Sequence, residues 1–331
     1  MARGWLRALR DTPELSGRVE IVGLVDVEEN AARALAQEFS LSVPTGADLA
    51  AILAETDADL LFDVVPPAAR RAVVLTGLER GCHVLSEKPM ATSLEEARFL
   101  IARANQAGCL HAVVQNRRFI AGVRRIRAFL ESGALGDLTG LHCDFFLAPH
   151  FGGFREEMEH PLLLDMAIHT FDAARFMASK TPLAAYALET NPAGSWYAGA
   201  AAAFAIFEFS DNVTFTYRGS WCAEGAPTSW EAAWRFTGTR GSLLWDGADR
   251  FDARVVAGGG KFMSDLVPVA VPEAPEPEKT HGHASVIAEF LAAIKQGRRP
   301  ETDGTDNVKS LAMVFAAIES AATARRVEIR Q

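Results

Sequence analysis

The chain has 331 residues, 49% apolar and 23% charged, a globular composition that excludes an intrinsically disordered protein. Its 33 lysines and arginines face 42 aspartates and glutamates, and a net charge of -9 argues against a general nucleic-acid binder and against an anionic membrane surface, so a small-molecule ligand fits better. Cys82, Cys109, Cys143 and Cys222 stand far apart with no C-x-x-C pair, which points to buried reduced thiols rather than a disulfide framework or a zinc cluster.

No apolar stretch approaches the ~20 residues of a membrane helix, and the first ten residues do not read as a signal peptide. A soluble cytoplasmic protein is expected, provisionally, since an export signal upstream of Met1 would change that. Two domains are expected at this length, 1–118 and 119–331. After a short helical stretch over 4–9, apolar runs alternate with helical patterns: strands over 19–26, 60–65, 83–86 and 110–114, helices over 31–39, 47–55, 68–80 and 94–107. Gly81 and Gly108 mark helix C-termini, and Thr92-Ser93 ahead of Glu95-Glu96 reads as an N-cap with acids in the first turn. This is the pattern of βα units around a parallel sheet. Beyond residue 119 a helix over 123–131 is followed by strands over 138–147, 203–209, 213–221, 233–238 and 242–245, a mostly antiparallel sheet. One helix over 161–177, with Pro161 at its first turn, interrupts them. A Pro- and Glu-rich connector over 267–279 and helices over 284–295 and 307–324 close the chain.

The fold class read from this order is α/β: a Rossmann-type parallel sheet lacking its first strand, plus an α+β domain with a large, mostly antiparallel open sheet. The run over 19–26 ends in Asp26, as the second strand of such a domain does where its acid reaches the adenosine ribose. Glu28 and Glu29 follow with no arginine beside them, which would repel a 2′-phosphate and favours NAD over NADP.

Two motifs carry chemistry. Glu87-Lys88-Pro89 directly follows the strand over 83–86, which puts the Lys88 ammonium where α/β sheets bind ligands and where it can stabilise negative charge on an oxygen; a lone lysine there is otherwise a solvated strand-end residue. Asp165 and His169, four apart on the helix over 161–177, lie on one face about 6 Å apart at their Cβ atoms. They pair an imidazole that exchanges protons near neutral pH with a carboxylate able to orient it or to hold a hydroxyl. Taken alone such a pair is often a surface interaction, but Leu162, Leu163, Leu164, Met166 and Ile168 require this helix to be covered.

His83-Val84-Leu85-Ser86-Glu87-Lys88-Pro89, the helix bearing Asp165 and His169, and the tail Asp306-Asn307-Val308-Lys309-Ser310-Leu311 running to Arg326-Val327-Glu328-Ile329 together resemble the glucose-fructose oxidoreductase, inositol dehydrogenase and rhizopine catabolism (Gfo/Idh/MocA) family. The resemblance implies an NAD(P)-dependent oxidoreductase of a sugar or polyol, with an N-terminal Rossmann domain and a C-terminal domain whose sheet makes a homodimer or homotetramer. It implies Lys88 as substrate and nicotinamide contact, Asp165 as substrate anchor and His169 as proton acceptor. Pro66, Glu87 and Gln115 would line the cofactor beside Asp26. It also implies that Met1 is an internal residue, that a strand and glycine-rich turn precede it, and that the chain as written binds NAD poorly.

The chain departs from the family pattern at His160-Pro161-Leu162-Leu163, where relatives carry glycines, and at Val65 and Arg70, where Thr and His are common. His150 and His160 are candidates for hydrogen bonds to sugar hydroxyls or are structural; Trp221 and Trp230 form a stacking wall or belong to the core. His281-Gly282-His283 reads as a solvated loop with too few partners for a metal, and no metal site is expected. Two other functions remain open: a catalytically impaired sugar or nucleotide sensor, and a family glycosidase that uses tightly held NAD.

Overall fold

The computed structural model describes residues 1–258 and 262–330. Two compact units emerge, Met1–Gln115 with His281–Val308, and Asn116–Thr280 with Lys309–Gln331. The expected boundary at 118 falls three residues later than this one, and residues 281–308 return to the first unit. The return is fixed by long-range bonds that sequence periodicity does not carry: Val113 donates to the Thr302 carbonyl, and Ala112 forms an antiparallel bridge with Asp303.

The first unit opens with helix α1 (Ala2–Asp11), which buries Trp5, Leu6 and Leu9. There follow β1 (Leu24–Val25), α2 (Glu29–Glu38), β2 (Thr45–Gly46), α3 (Leu49–Thr56), β3 (Leu60–Asp63), α4 (Pro67–Glu79), β4 (His83–Ser86), α5 (Leu94–Ala107) and β5 (His111–Val113). Local signals set several boundaries. Asp48 caps α3 by accepting from the amides of Ala50 and Ala51, and Ser93 caps α5 by accepting from Glu96, whose carboxylate reaches back to the Thr92 amide. Gly108 ends α5 at φ 68°, a left-handed conformation that glycine adopts without Cβ strain. Leu100 and Ala104 of α5 pack with Val74, Leu78 and Val84 to form the core of this layer.

The parallel strands form two separate ladders, β1–β2 and β3–β4–β5. Residues expected as a strand over 19–26 form a ladder only at Leu24–Val25, because β2 is their sole partner. Among the described residues β1 and β3 each terminate a ladder, and the apolar residues Ile21, Val22, Leu24 and Val25, like Leu60, Leu61 and Phe62, are only half-buried. By contrast β4, paired on both edges, is buried from Val84 to Ser86, the normal condition of a parallel strand. This is a Rossmann-like parallel sheet, divided among the described residues into a two-stranded and a three-stranded ladder.

The second unit contains α6 (Ala121–Glu131), β6 (Leu138–Phe146), a π-helix (Pro161–Ala167) that runs into α7 (Ile168–Ala178), β7 (Pro182–Thr190), β8 (Ala202–Phe209), β9 (Val213–Ser220), β10 (Ala233–Gly238), β11 (Gly241–Trp245), β12 (Phe251–Gly258) and β13 (Asp265–Val269). Helix α8 (His283–Gln296) belongs to the first unit, and α9 (Gly304–Thr323) and β14 (Val327–Glu328) close the chain. The nine strands run in the order β13-β12-β11-β10-β6-β9-β8-β7-β14, parallel only at β6–β9. Strands β7, β12 and β14 were not anticipated, and the expected connector over 267–279 begins as the exposed edge strand β13, whose Pro268 and lack of alternation conceal it. Phe171 of α7 packs edge-on against Phe207 and Tyr217 of the sheet at 4.8 and 5.2 Å. A buried bidentate pair from Arg118 to Asp172, at 2.6 and 2.7 Å, and a bond from Ser310 to the same carboxylate fix α7 in place. Among the described residues no helix is long and apolar enough to cross a membrane.

Candidate active site

In the first unit the candidate cofactor residues follow the carboxyl ends of the parallel strands. Asp26, directly after β1, is exposed, and its Oδ1 accepts from the Glu28 amide at 3.0 Å. Arg33, the nearest downstream arginine, is paired with Glu29 at 2.6 Å. Pro66 is the N-cap residue of α4. Gln115 is fully buried, and neither its amide nitrogen nor its amide oxygen has a hydrogen-bond partner among the described residues. Buried amides are nearly always satisfied, so this one fits a polar ligand. An exposed acid after β1 and an unsatisfied amide after β5 are a set into which a dinucleotide fits.

Glu87 and Lys88 have different fates. Glu87 turns inward, 6% exposed, and accepts from the Trp5 indole at 2.8 Å, with His283 Nε2 at 3.3 Å from the same oxygen. Burial alone would raise its pKa, but the bonds from His283 and Trp5 outweigh it and hold the carboxyl below its usual value. The loop expected over His281-Gly282-His283 is thus only partly a loop: His283 opens α8 and meets both Glu87 and Trp5. Lys88 remains half-buried beside it.

In the second unit the π-helix and α7 carry the other two residues singled out by the sequence, Asp165 and His169. Every residue from 161 to 178 is buried except Leu164, Asp165 and His169. Asp165 sits in the π-turn and His169 in the first turn of α7, a placement common at functional sites. Nδ1 of His169 is buried. Arg155 donates to Asp165 at 2.9 Å, while its guanidinium lies 5.3 and 4.8 Å from the ring centres of Phe151 and Phe154.

The candidate substrate residues divide. His150 stacks on Trp196 with ring centres 3.7 Å apart and lies 3.4 Å from Glu224, on the exposed rim. His160 is tied through Nδ1 to Glu189 at 2.8 Å. Burial raises the Glu189 carboxyl and the charge of His160 pulls it down, with a net rise. Trp221 is 2% exposed between Tyr197 and Phe151, so it forms the floor beneath Phe151 rather than an open wall; Trp230 is exposed. Tyr197, whose phenol burial pushes up to about 12, donates to the Pro149 carbonyl at 2.8 Å and anchors the segment that carries His150 and Phe151. Among the described residues no cluster could hold a metal ion. Sequence reading missed Arg155 and Glu189; an arginine among Phe151, Phe154 and paired glycines was the available signal.

Comparison with known proteins gives a consistent answer. Residues 2–115 match the model of the oxidoreductase family with an NAD-binding Rossmann fold (Gfo/Idh/MocA), and residues 123–244 match the C-terminal domain model of the same family. The chain is 27% identical to the 1,5-anhydro-D-fructose reductase of Ensifer adhaerens over 99% of this chain and 96% of that protein. It is 27% identical to the D-apiose dehydrogenase of Paraburkholderia graminis over 99% and 87% respectively. A crystal structure of an oxidoreductase from Agrobacterium radiobacter in complex with NAD+, L-tartaric acid and magnesium superposes with a TM-score of 0.85 at 21% identity, covering 99% of this chain and 95% of that one.

Proposed function

Because the chain belongs to the Gfo/Idh/MocA oxidoreductase family, we propose that it moves a hydride between a nicotinamide dinucleotide, NAD in preference to NADP, and a secondary alcohol carbon of a neutral sugar or polyol. The observation that carries this reading is the 161–178 stretch: a buried helical segment in which only Leu164 and, four residues apart, a carboxylate and an imidazole stay partly accessible. In support, two relatives that match along nearly the whole chain are named for 1,5-anhydro-D-fructose and D-apiose, both uncharged carbohydrates.

Asp26 would hold the adenosine ribose diol, and Pro66, Lys88 and Gln115 would line the remainder of the cofactor. When bound, the nicotinamide ring supplies the hydride acceptor or donor. In the oxidation direction the substrate hydroxyl must lose its proton as the carbon loses hydride, and His169 takes that proton at Nε2. Asp165 accepts from a substrate hydroxyl and fixes the ring of the sugar. The Lys88 ammonium donates to the reacting oxygen and stabilises the charge that grows there. We assign Lys88, Asp165 and His169 to one reaction, and Glu87 to the support of Lys88 rather than to the cofactor.

The open face of the large sheet supports self-association. Tyr186 and Leu188 of β7 are the cross-strand partners of Ile206 and Phe204 of β8, and all four are exposed, which makes one contiguous apolar patch. Next to it lie Asp144 and Arg218, joined by a bidentate pair. An apolar patch beside a charged one suits an isologous dimer of this chain.

NADH formation over a panel of polyols, aldoses and anhydro sugars tests the reading. His169→Asn is expected to lower kcat about 10²- to 10⁴-fold, the usual contribution of a positioned general base. Turnover unchanged by that substitution would sink the assignment.

A further inference from the structure

We propose that Arg70 is the positioning residue for Lys88, a role that rests on the reading of Lys88 as a substrate contact. Arg70 is 1% exposed in the first turns of α4. Its Nε donates to Asp63 Oδ2 at 2.7 Å, its Nη2 to the Val65 carbonyl at 2.6 Å and its Nη1 to the Pro89 carbonyl at 2.5 Å. These acceptors come from three different places: the end of β3, the turn that precedes α4, and the turn that follows β4.

The ladder between β3 and β4 ends at the Asp63–Ser86 register, apart from one further bond from the Glu87 amide to the Asp63 carbonyl. Beyond that point the two chains separate, one toward Pro66 and the other toward Lys88. Among the described residues no further backbone bond joins them to fix their spacing. The guanidinium does that work, because its planar fork offers donors in several directions at once, which an ammonium or an imidazole does not. Each carbonyl it grips belongs to a neighbour of a site residue: Val65 precedes Pro66, and Pro89 follows Lys88. Asp63, fully buried, balances the charge, and Asp63 is itself in hydrogen-bond contact with Ser86, which lies 3.0 Å from His111 Nε2. The carboxyl ends of β3 and β4 and the first residue of β5 are therefore linked side chain to side chain, with Arg70 as the member that reaches the two turns.

A lysine has a long flexible stem, and its reach into a site is only as well defined as its Cα. Holding the Lys88-Pro89 turn against the Val65-Pro66 turn supplies that definition. Displacement of a catalytic group by about 1 Å costs on the order of 10²-fold in rate, so a residue that never touches substrate can carry a large effect through Lys88.

The test uses Arg70→Lys, which keeps a cation beside Asp63 and lacks the fork. As a control for loss of folding, the double variant Asp63→Asn/Arg70→Gln removes both charges together. Amide hydrogen exchange is measured over 64–69 and 86–92 against the strand over 83–86. kcat/KM is measured with and without Lys88→Met in each background. Faster exchange in both turns, an unchanged strand, and a fall in kcat/KM of about 10- to 100-fold that vanishes once Lys88 is Met, is the expected result. Unchanged exchange, or a rate loss that multiplies with that of Lys88→Met, overturns the positioning role while leaving Lys88 in the mechanism. A Lys88→Met protein as active as the parent removes instead the reading of Lys88 itself, and the exchange data still report whether Arg70 holds the turns.

Discussion

Arg155 Nε donates to Asp165 Oδ2 at 2.9 Å, so one oxygen of the proposed substrate anchor is already occupied by a cation. The pair is partly shielded, with side-chain exposures of 28% and 13%. Such a pair is worth about 1 kcal/mol, since solvent still screens it. Its consequence is orientational: the guanidinium holds Oδ2 and so sets the plane of the carboxylate.

Arg155→Gln should therefore raise KM for the carbohydrate about fivefold, the equivalent of ~1 kcal/mol, with kcat changed less than twofold, because binding and not proton transfer is affected. Steady-state kinetics separate the two parameters. A fall in kcat with constant KM would instead place Arg155 in the chemical step.

Cofactor choice offers a second test. Asp26 is exposed at the end of β1, Glu28 and Glu29 follow it, and Arg33 is engaged by Glu29. On the proposed reading a 2′-phosphate there would meet carboxylates, with the nearest downstream guanidinium, Arg33, already engaged by Glu29. Asp26→Ala with Val27→Arg should move the ratio of kcat/KM for NADP over NAD upward by at least about tenfold, since it exchanges a repulsive anion for a charge-assisted donor. An unchanged ratio in the double variant would show that the ribose is read elsewhere.

Much of this architecture is written locally. The cap at Ser93, the stop at Gly108 and the strand His83–Ser86 followed by Lys88 appear where sequence reading puts them, because each depends on neighbouring residues. Asp165 and His169 both fall in the helical stretch that the sequence marks, but in a π-helix and an α-helix rather than on one continuous helix. What escaped notice is non-local or aperiodic. Trp5, Glu87 and His283 meet across most of the chain length, and no spacing rule joins them. Val113 pairs with Thr302 for reasons equally invisible in either segment. The π-turn at Asp165 leaves the apolar pattern of the helix intact, so periodicity reads one continuous helix where the structure has two kinds. His160 illustrates the limit of residue type: a histidine beside a site was a plausible hydroxyl ligand, and only coordinates reveal Glu189 as its partner.

The open sheet face yields a third prediction. Ile206→Lys and Phe204→Glu place charges of opposite sign on β8, in the centre of the exposed patch with Tyr186 and Leu188. Either should convert the protein to a monomer in analytical ultracentrifugation, while neither should alter the core, since both side chains point away from it. A parent protein that sediments as a monomer at micromolar concentration would refute self-association through this face.

Acid stability provides the last test. His111 on β5 is 2% exposed, and burial first, then the positive charge of Arg70, push its pKa down from the usual 6.5 to about 4, with Asp303 opposing. The folded protein therefore holds this imidazole neutral, whereas the unfolded chain binds a proton below pH 6.5. Because the folded value is the lower one, the contribution is fully present above pH 6.5 and is lost as pH falls toward 4. At 1.36 kcal/mol per unit the total loss is at most about 3 kcal/mol, less if the surroundings relax. Urea unfolding of the parent at pH 7 and pH 4.5 should show this decline beyond that of the rest of the protein. His111→Gln, which leaves an amide to meet Ser86, should begin less stable at pH 7 and lose less between the two values. Parallel declines in the two proteins would mean that other groups, not His111, govern the acid limb.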